Sequence, residues 1–489
     1  MKVQLARLMG RRTMAGAAAT IVIGLIVLAA ATVGGIAGWE YSNSNAFCAN
    51  VCHAVHPEEP KAHAASFHAR VNCVECHMGR IHTLEAMALK PTHVGELWGM
   101  IAGYERPVTT HSLRPARESC EACHWPSARH ADTLRVKVRY AGDAKSTESK
   151  TTLQLHTGSG EARLVPGNGN SPDSAAGMGV AKGIHWHVAQ DVQYVALDPQ
   201  KQKIVLVEVH GADGKVTGTY FDPTAGVSRA DAEKMQKRHM DCIDCHNAAG
   251  HPFGNPADLV DEAIQEQRID RSLPSIKARS DAIIAKAFGI VGPENDRAAK
   301  FKEIIAAAVP KSPDAKTKDA EATFATEMQR ILMLTSFSSE HAPKPITWKT
   351  FPNNVGHKDF PGCFRCHDGK HQNEKGEAVR LQCTLCHGVP QVVREDGART
   401  VASTVSPDIT PPPFHSEPNF MHNHRTMVDD SCAACHGPVK WGKDGGNFCA
   451  NPACHGRQWP ELDLNVQGSA AKSEAALAAP RLAQGKARK

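Results

Sequence analysis

Asp241-Cys242-Ile243-Asp244-Cys245-His246 sets two thiols on either side of a two-residue spacer and puts an imidazole directly after the second. The same C-x-x-C-H spacing returns at Cys73/Cys76-His77, Cys120/Cys123-His124, Cys363/Cys366-His367, Cys383/Cys386-His387 and Cys432/Cys435-His436. Two looser versions complete the set: Cys48/Cys52-His53, with three residues between the cysteines, and Cys449/Cys454-His455, with four. All 16 cysteines of the 489-residue chain are thereby paired, and a histidine follows every pair. Disulfides would require no histidine there. A zinc framework would need matched separations between its ligand pairs, and here they range from the short step Cys435 to Cys449 to the long one Cys123 to Cys242. The pattern is the attachment signature of c-type haem, in which both thiols bond the porphyrin and the next imidazole is held under the iron. Eight covalent haem c groups are expected, with His53, His77, His124, His246, His367, His387, His436 and His455 as proximal ligands.

Composition agrees. Aromatic residues are only 5% of the chain, a thin supply for a core, and eight flat apolar macrocycles would make up the shortfall. With two ionised propionates on each ferric group, the formal charge of +5 moves to about −3. Charged residues at 22% exclude a polytopic membrane protein and a disordered chain. No basic stripe interleaved with aromatics is present, so no nucleic-acid partner is expected.

Of 27 histidines, those left after the proximal set can supply sixth ligands, and bis-histidine iron suits electron relay because it leaves no open position. The candidates are His68, His185, His187, His251, His357, His371, His415 and His424, each close to an attachment site or, for His185 and His187, in Gly183-Ile184-His185-Trp186-His187. Read as a strand, that segment would put both imidazoles on one face. His56 or Met78 could complete the first site, whereas His156, His210 and His239 lie in polar, charged surroundings.

Lys2, Arg7, Arg11 and Arg12 precede an uncharged run over 13–39, long enough to cross the bilayer as a helix. The basic flank keeps residues 1–12 in the cytoplasm and sends the haem-bearing part across, to the periplasm of a bacterial inner membrane. A cleaved signal peptide is the alternative, although its apolar core is usually shorter. Beyond the anchor the expected organisation is a haem region over 40–130 carrying three sites and a β-rich insert over 131–225. A fourth site with a helical segment follows over 226–349, then four sites over 350–465 and a disordered tail over 466–489. The fold class is α+β with much irregular structure, organised by the haems around one transmembrane helix.

Residues 10–130, including Ser66-Phe67-His68-Ala69-Arg70-Val71-Asn72-Cys73, resemble the NapC/NirT family of membrane-anchored multihaem quinol dehydrogenases. The later runs around Cys120, His185, Cys242 and Cys363 look like its longer members, the inner-membrane multihaem cytochromes of metal-reducing bacteria. The resemblance implies oxidation of menaquinol or a similar quinol beside the first haem and delivery of electrons to a periplasmic cytochrome or reductase. It also implies a lysine and a carboxylate at the quinol pocket, for which Lys90 and Glu96 are the nearest matches, with His93 alongside. The sequence departs from the family at the first site, where an extra spacer residue stands and the usual methionine after the histidine is missing. Two other functions stay open: an electron-transfer subunit of a larger membrane respiratory complex that does not bind quinol alone, and a haem reductase with one open iron.

Overall fold

The absence of charge between Thr13 and Trp39 leaves nothing to interrupt a helix, and a single one runs over Lys2–Ser42. A computed structural model describes residues 2–53, 57–79, 83–90, 98, 115–124, 132–158, 183–310, 315–337, 345–381, 385–388, 390–396, 399–400 and 461–462. It divides into two compact units, residues 1–104 and 105–489. In the first, Gly16–Ser42 is the part of the helix apolar enough to span a membrane, and it is exposed from residue 16 to residue 38. At ~1.5 Å per residue it exceeds the ~30 Å of hydrocarbon. Ser44 stops the helix and starts the next turn: its hydroxyl donates to the Tyr41 carbonyl and accepts from the Phe47 amide. Short helices follow at Asn45–Phe47, Glu58–Ala64, Cys73–His77 and Thr83–Leu89.

The second unit holds two four-stranded antiparallel sheets. Strands β1 (Thr133–Tyr140) and β2 (Glu148–Leu155) form a hairpin. β3 (Asp191–Ala196), β4 (Ile204–His210), β5 (Val216–Phe221) and β6 (Arg238–His239) make the other sheet, in the order β5-β4-β3-β6. A two-stranded ribbon joins β7 (Ser336–Phe337) to β8 (Ile346–Thr347). β9 (Gln391–Arg394) then pairs with the open edge of β2, and β10 (Arg399–Thr400) with β9. The segment 131–225 is thus rich in antiparallel strands. Its first hairpin is completed by a strand more than 200 residues later, a long-range pairing that local alternation cannot reveal.

β4 is apolar over its first four residues, Ile204 to Val207, where both of its faces are covered. Val192, Tyr194, Ile204 and Val207 cluster with Trp186 and Cys366, while Val195, Val205, Leu206 and Ala232 form a second cluster. Four helices follow, over Pro256–Gln265, Ile276–Ala287, Glu294–Ala308 and Ala315–Thr335, close to the expected helical segment. They enclose the largest apolar core, with Ile269, Ile276, Ile283, Phe301, Phe324 and Ile331 fully buried. Val138 and Tyr140 carry β1 onto that core. The tail 466–489 lies outside the described residues.

The segment Gly183–His187 does not alternate as a strand. His185 begins a helical turn, Trp186–Ala189, with the Ala189 amide donating to the His185 carbonyl at 3.1 Å. Helical geometry advances about 100° per residue, so side chains two apart diverge by about 200° instead of sharing a face.

Candidate functional site

An attachment motif of two thiols and one imidazole must bring three side chains to one side of a short loop. The chain does this by closing a helical turn in which the histidine amide donates to the first cysteine's carbonyl. The distances are 2.8 Å for His124 to Cys120, 2.8 Å for His246 to Cys242 and 3.1 Å for His367 to Cys363. The longer first motif keeps the same closure. Its extra residue widens Cys48–Cys52 into a π turn, and the His53 amide still reaches the Cys48 carbonyl at 2.9 Å. Single π turns are the usual way a helix absorbs one inserted residue.

In the first unit two attachment turns are tied together. The Cys73 amide donates to Asn45 Oδ1 at 2.9 Å, and the thiols of Cys48 and Cys73 are hydrogen-bonded. That bond is the main reason Cys73 falls to about 7, while Cys48 is pushed up by the same contact and by burial. The second thiol of this turn does not share the cover of the first. Cys76 is exposed, as is Cys123 of the next motif, whereas Cys73 and Cys120 are half-buried. The reason is local geometry. Three residues along a helical turn rotate the side chain by about 300°, so Cys76 leaves the turn about 60° away from Cys73 and from the contact that covers it. The candidacy of Cys76 and Cys123 as tethers thus rests on motif spacing and not on burial by the polypeptide. Met78 is buried, and His68 is half-buried.

Lys90 lies at the end of the long helix: its ammonium donates to Ser42 Oγ at 2.5 Å and Asn43 Oδ1 at 2.8 Å, and stands 4.5 Å from the centre of the Trp39 ring. It is also close enough to Cys48 for its charge to favour the thiolate there. A cation suits the carbonyl-rich end of a helix. His93 and Glu96 lie outside the described residues, as do His56, Cys383, His415, His424, Cys432, Cys435, His436, Cys449, Cys454 and His455.

In the second unit, histidine rings face one another in pairs. Ring centres are 6.5 Å apart for His185 and His246, 5.8 Å for His187 and His367, and 6.2 Å for His357 and His387. A metal–imidazole bond of ~2 Å on each side puts the centres of two trans rings about 6 Å apart. The donors fit this use. Nδ1 of His185, His187, His367 and His387 contacts the carbonyls of Gly158, Ile184, Arg380 and Gly388 at 2.8, 2.8, 2.5 and 2.7 Å. A carbonyl can only accept, so Nδ1 carries the proton and Nε2 keeps its lone pair, the arrangement typical of a ligating histidine. Burial holds His367 down at about 4 and lowers His187 too, so both are neutral, the form that binds iron.

His371, expected among the sixth ligands, departs from this pattern. Its Nδ1 meets Asp368 Oδ1 at 2.9 Å and its Nε2 the Ile204 carbonyl at 3.1 Å, in full burial, so neither nitrogen is left for a metal. The residue instead fastens the loop after His367 to β4. His156, His210 and His239 have the carboxylates of Asp132, Glu208 and Asp191 beside them. His251 is half-buried.

The frame around these pairs is built from backbone. The end of β2 carries two of them: the His156 amide donates to the Cys386 carbonyl at 2.9 Å, and the Ile184 amide to the His156 carbonyl at 2.7 Å. Gly183 (φ +107) approaches so closely that a Cβ would lie 2.7 Å from the Thr157 carbonyl oxygen. Gly362 (φ +51), just before Cys363, is tighter still, since a Cβ there would fall 1.5 Å from the Gly356 carbonyl oxygen.

Sequence reasoning missed the polar hub between the motifs. Asp244, inside C-I-D-C-H, accepts from Tyr194 Oη at 2.7 Å and Lys201 Nζ at 2.8 Å, and it caps its own turn. Arg365, inside C-F-R-C-H, donates to the carbonyls of Gly362, Lys201 and Asp244 at 2.9, 2.9 and 2.5 Å. Burial and the neighbouring carboxylate push the Tyr194 hydroxyl up. An acid and a base at the variable positions of two motifs were the available signal.

Two comparisons with known proteins bear on this arrangement. Residues 11–113 match the NapC/NirT cytochrome c family, N-terminal region. Over 376 residues the chain is 35% identical to a cytochrome c-type protein, ImcH, of Geobacter sulfurreducens, covering 76% of this chain and 68% of that protein. No solved structure matches.

Proposed function

This chain belongs to the NapC/NirT family of membrane-anchored multihaem cytochromes c, and from that premise we propose that it takes electrons from a membrane quinol at its first attachment site and relays them through eight covalent haems to an acceptor in the periplasm. Haem c supplies reversible one-electron iron chemistry. The chain's part is to hold it: sixteen cysteines as tethers, the eight following histidines as proximal ligands, and His68, His185, His187, His251, His357, His415 and His424 as the pool of sixth ligands. His371 leaves that pool.

A quinol that becomes quinone gives up two electrons and two protons. The electrons leave singly into the first attachment site, and the protons need acceptors at the rim of the membrane. Lys90 carries this reading, because its ammonium lies beside the end of the membrane helix and near Cys48. There it can hydrogen-bond a quinol oxygen, and His93 and Glu96 follow within six residues as proton acceptors. The basic flank before the helix favours a single-pass topology with the attachment sites outside the cytoplasm.

The test is reduction of the purified holoprotein by a menaquinol analogue. Lys90→Ala slows it by about tenfold or more, the worth of one hydrogen bond from a charged donor, and leaves reduction by dithionite unchanged. Equal quinol rates in both proteins would remove Lys90 from the site.

The second reading, an electron-transfer subunit docked to other membrane proteins, draws on the exposed stretch of the helix over residues 16–38, which offers its full circumference to neighbours. Quinol oxidation that requires co-purifying subunits would select it. The facing imidazoles favour relay over a reductase with an open iron.

A further inference from the structure

We propose that one helical turn, His185-Trp186-His187, ligates two different irons: His185 the one held at Cys242/Cys245-His246, His187 the one held at Cys363/Cys366-His367. This rests on the covalent-haem reading above and adds which imidazole serves which site. His357 serves the third site in the same way, opposite His387.

The geometry begins with the turn itself. Because Trp186–Ala189 is helical, the side chains at 185 and 187 leave it on nearly opposite sides. One meets the ring of His246 at 6.5 Å and 22°, the other the ring of His367 at 5.8 Å and 80°. Both distances match two imidazoles on opposite sides of one metal, and both distal rings hold their Nδ1 proton on a carbonyl, which leaves Nε2 as the donor. Trp186 between them packs into the apolar cluster of β3 and β4, which Cys366 also touches, and this keeps the turn from rotating. A three-residue turn thus serves both sites.

The same closeness extends along the chain. Arg365 of one motif donates into the turn of the other at the Asp244 carbonyl. Upstream, the thiols of Cys120 and Cys242 lie close enough for each to shift the other's titration, so two attachment turns are neighbours there too. Downstream, His357 lies six residues before Cys363 and stacks on Phe364 at 4.3 Å while facing His387. The described parts of these motifs, at Cys120, Cys242, Cys363 and His387, are thus neighbours in the order of the sequence.

The experiment uses full-length holoprotein in detergent, with haem count from intact mass and spin state from ferric EPR. His185→Ala and His187→Ala are each expected to turn one haem per chain high-spin with the haem count unchanged, the double variant to turn two, and added imidazole to restore the low-spin signal. In a Cys242→Ala/Cys245→Ala background, His185→Ala should add no high-spin haem while His187→Ala still adds one. His185→Met and His187→Met, which conserve bulk, should each keep one sixth ligand but exchange its nitrogen signature for that of sulfur. High-spin signal absent from both alanine variants, or only one high-spin haem in the double variant, would overturn the assignment. Wild-type protein without haem at Cys242/Cys245 and Cys363/Cys366 would instead overturn the reading beneath it.

Discussion

The four-helix segment Pro256–Thr335 and the attachment segment 345–388 are neighbours in sequence but have opposite interiors. The first buries Ile276, Ile283, Phe301, Phe324 and Ile331 from its helices and Ile269 from the loop between two of them. The second buries Asn354, Arg365, Asp368 and His371, with a short 3₁₀ turn at Gly362–Arg365 and few buried apolar side chains among its described residues. One is held by hydrocarbon that the chain supplies itself. The other is held by turns, backbone hydrogen bonds and paired imidazoles, a frame that awaits a large apolar group. A multihaem protein can thus combine a self-sufficient scaffold with regions whose cores arrive only on cofactor attachment.

Removing a core side chain should strike hardest, and only on one side of this contrast. Phe324→Ala in the helical segment is expected to cost about 3–5 kcal/mol, read as a lower urea midpoint in far-UV circular dichroism. The haem absorption of the folded protein should be unchanged. A shift in the haem spectrum at low urea would mean the two interiors are not separate.

Gly362→Ala attacks the other side. A non-glycine residue at φ +51 is strained, and its Cβ would strike the Gly356 carbonyl, at a combined cost of about 2–3 kcal/mol. Peptide mapping should find haem lost from Cys363/Cys366 while the far-UV helical signal persists. Full occupancy there would contradict the claim that this loop sets the attachment geometry.

The smallest effect probes the seam between the two. Asp258 of the helical segment pairs with Lys137 of β1 and with Lys358 of the attachment segment, each at 2.7 Å. Burial alone would raise its pKa, but the two ammonium groups outweigh this and hold it at about 2. The folded value lies below that of the unfolded chain, so the contribution is complete above about pH 4 and is lost as pH falls towards 2. Because the carboxylate is partly exposed, we expect about 1 kcal/mol, absent in Asp258→Asn, from unfolding curves at pH 6 and pH 3.

The contrast also explains what could be read in advance. The anchor and the helical segment were legible because their signals are local: an uncharged run, and apolar periodicity broken by Pro310 and Pro313. The attachment sites were legible because their chemistry demands fixed spacing, although spacing did not say that Cys76 and Cys123 would stand exposed beside half-buried partners. The pairing of β2 with β9 was not legible, since it joins positions far apart in the chain. Nor was the helical turn at His185, because a five-residue run with two histidines fits either period until Gly183 and the end of β2 define its surroundings. His371 could not be separated from a ligand by position alone. Its two nitrogens are occupied by Asp368 and by a carbonyl of β4 that no local rule brings near.

The account as a whole stands on covalent haem at the cysteine pairs. Intact-mass spectrometry of the mature protein, followed by peptide mapping, tests this most directly. Eight haem additions, one on each Cys-containing motif from Cys48/Cys52 to Cys449/Cys454, are predicted; fewer than six, or none on Cys242/Cys245 and Cys363/Cys366, would contradict it.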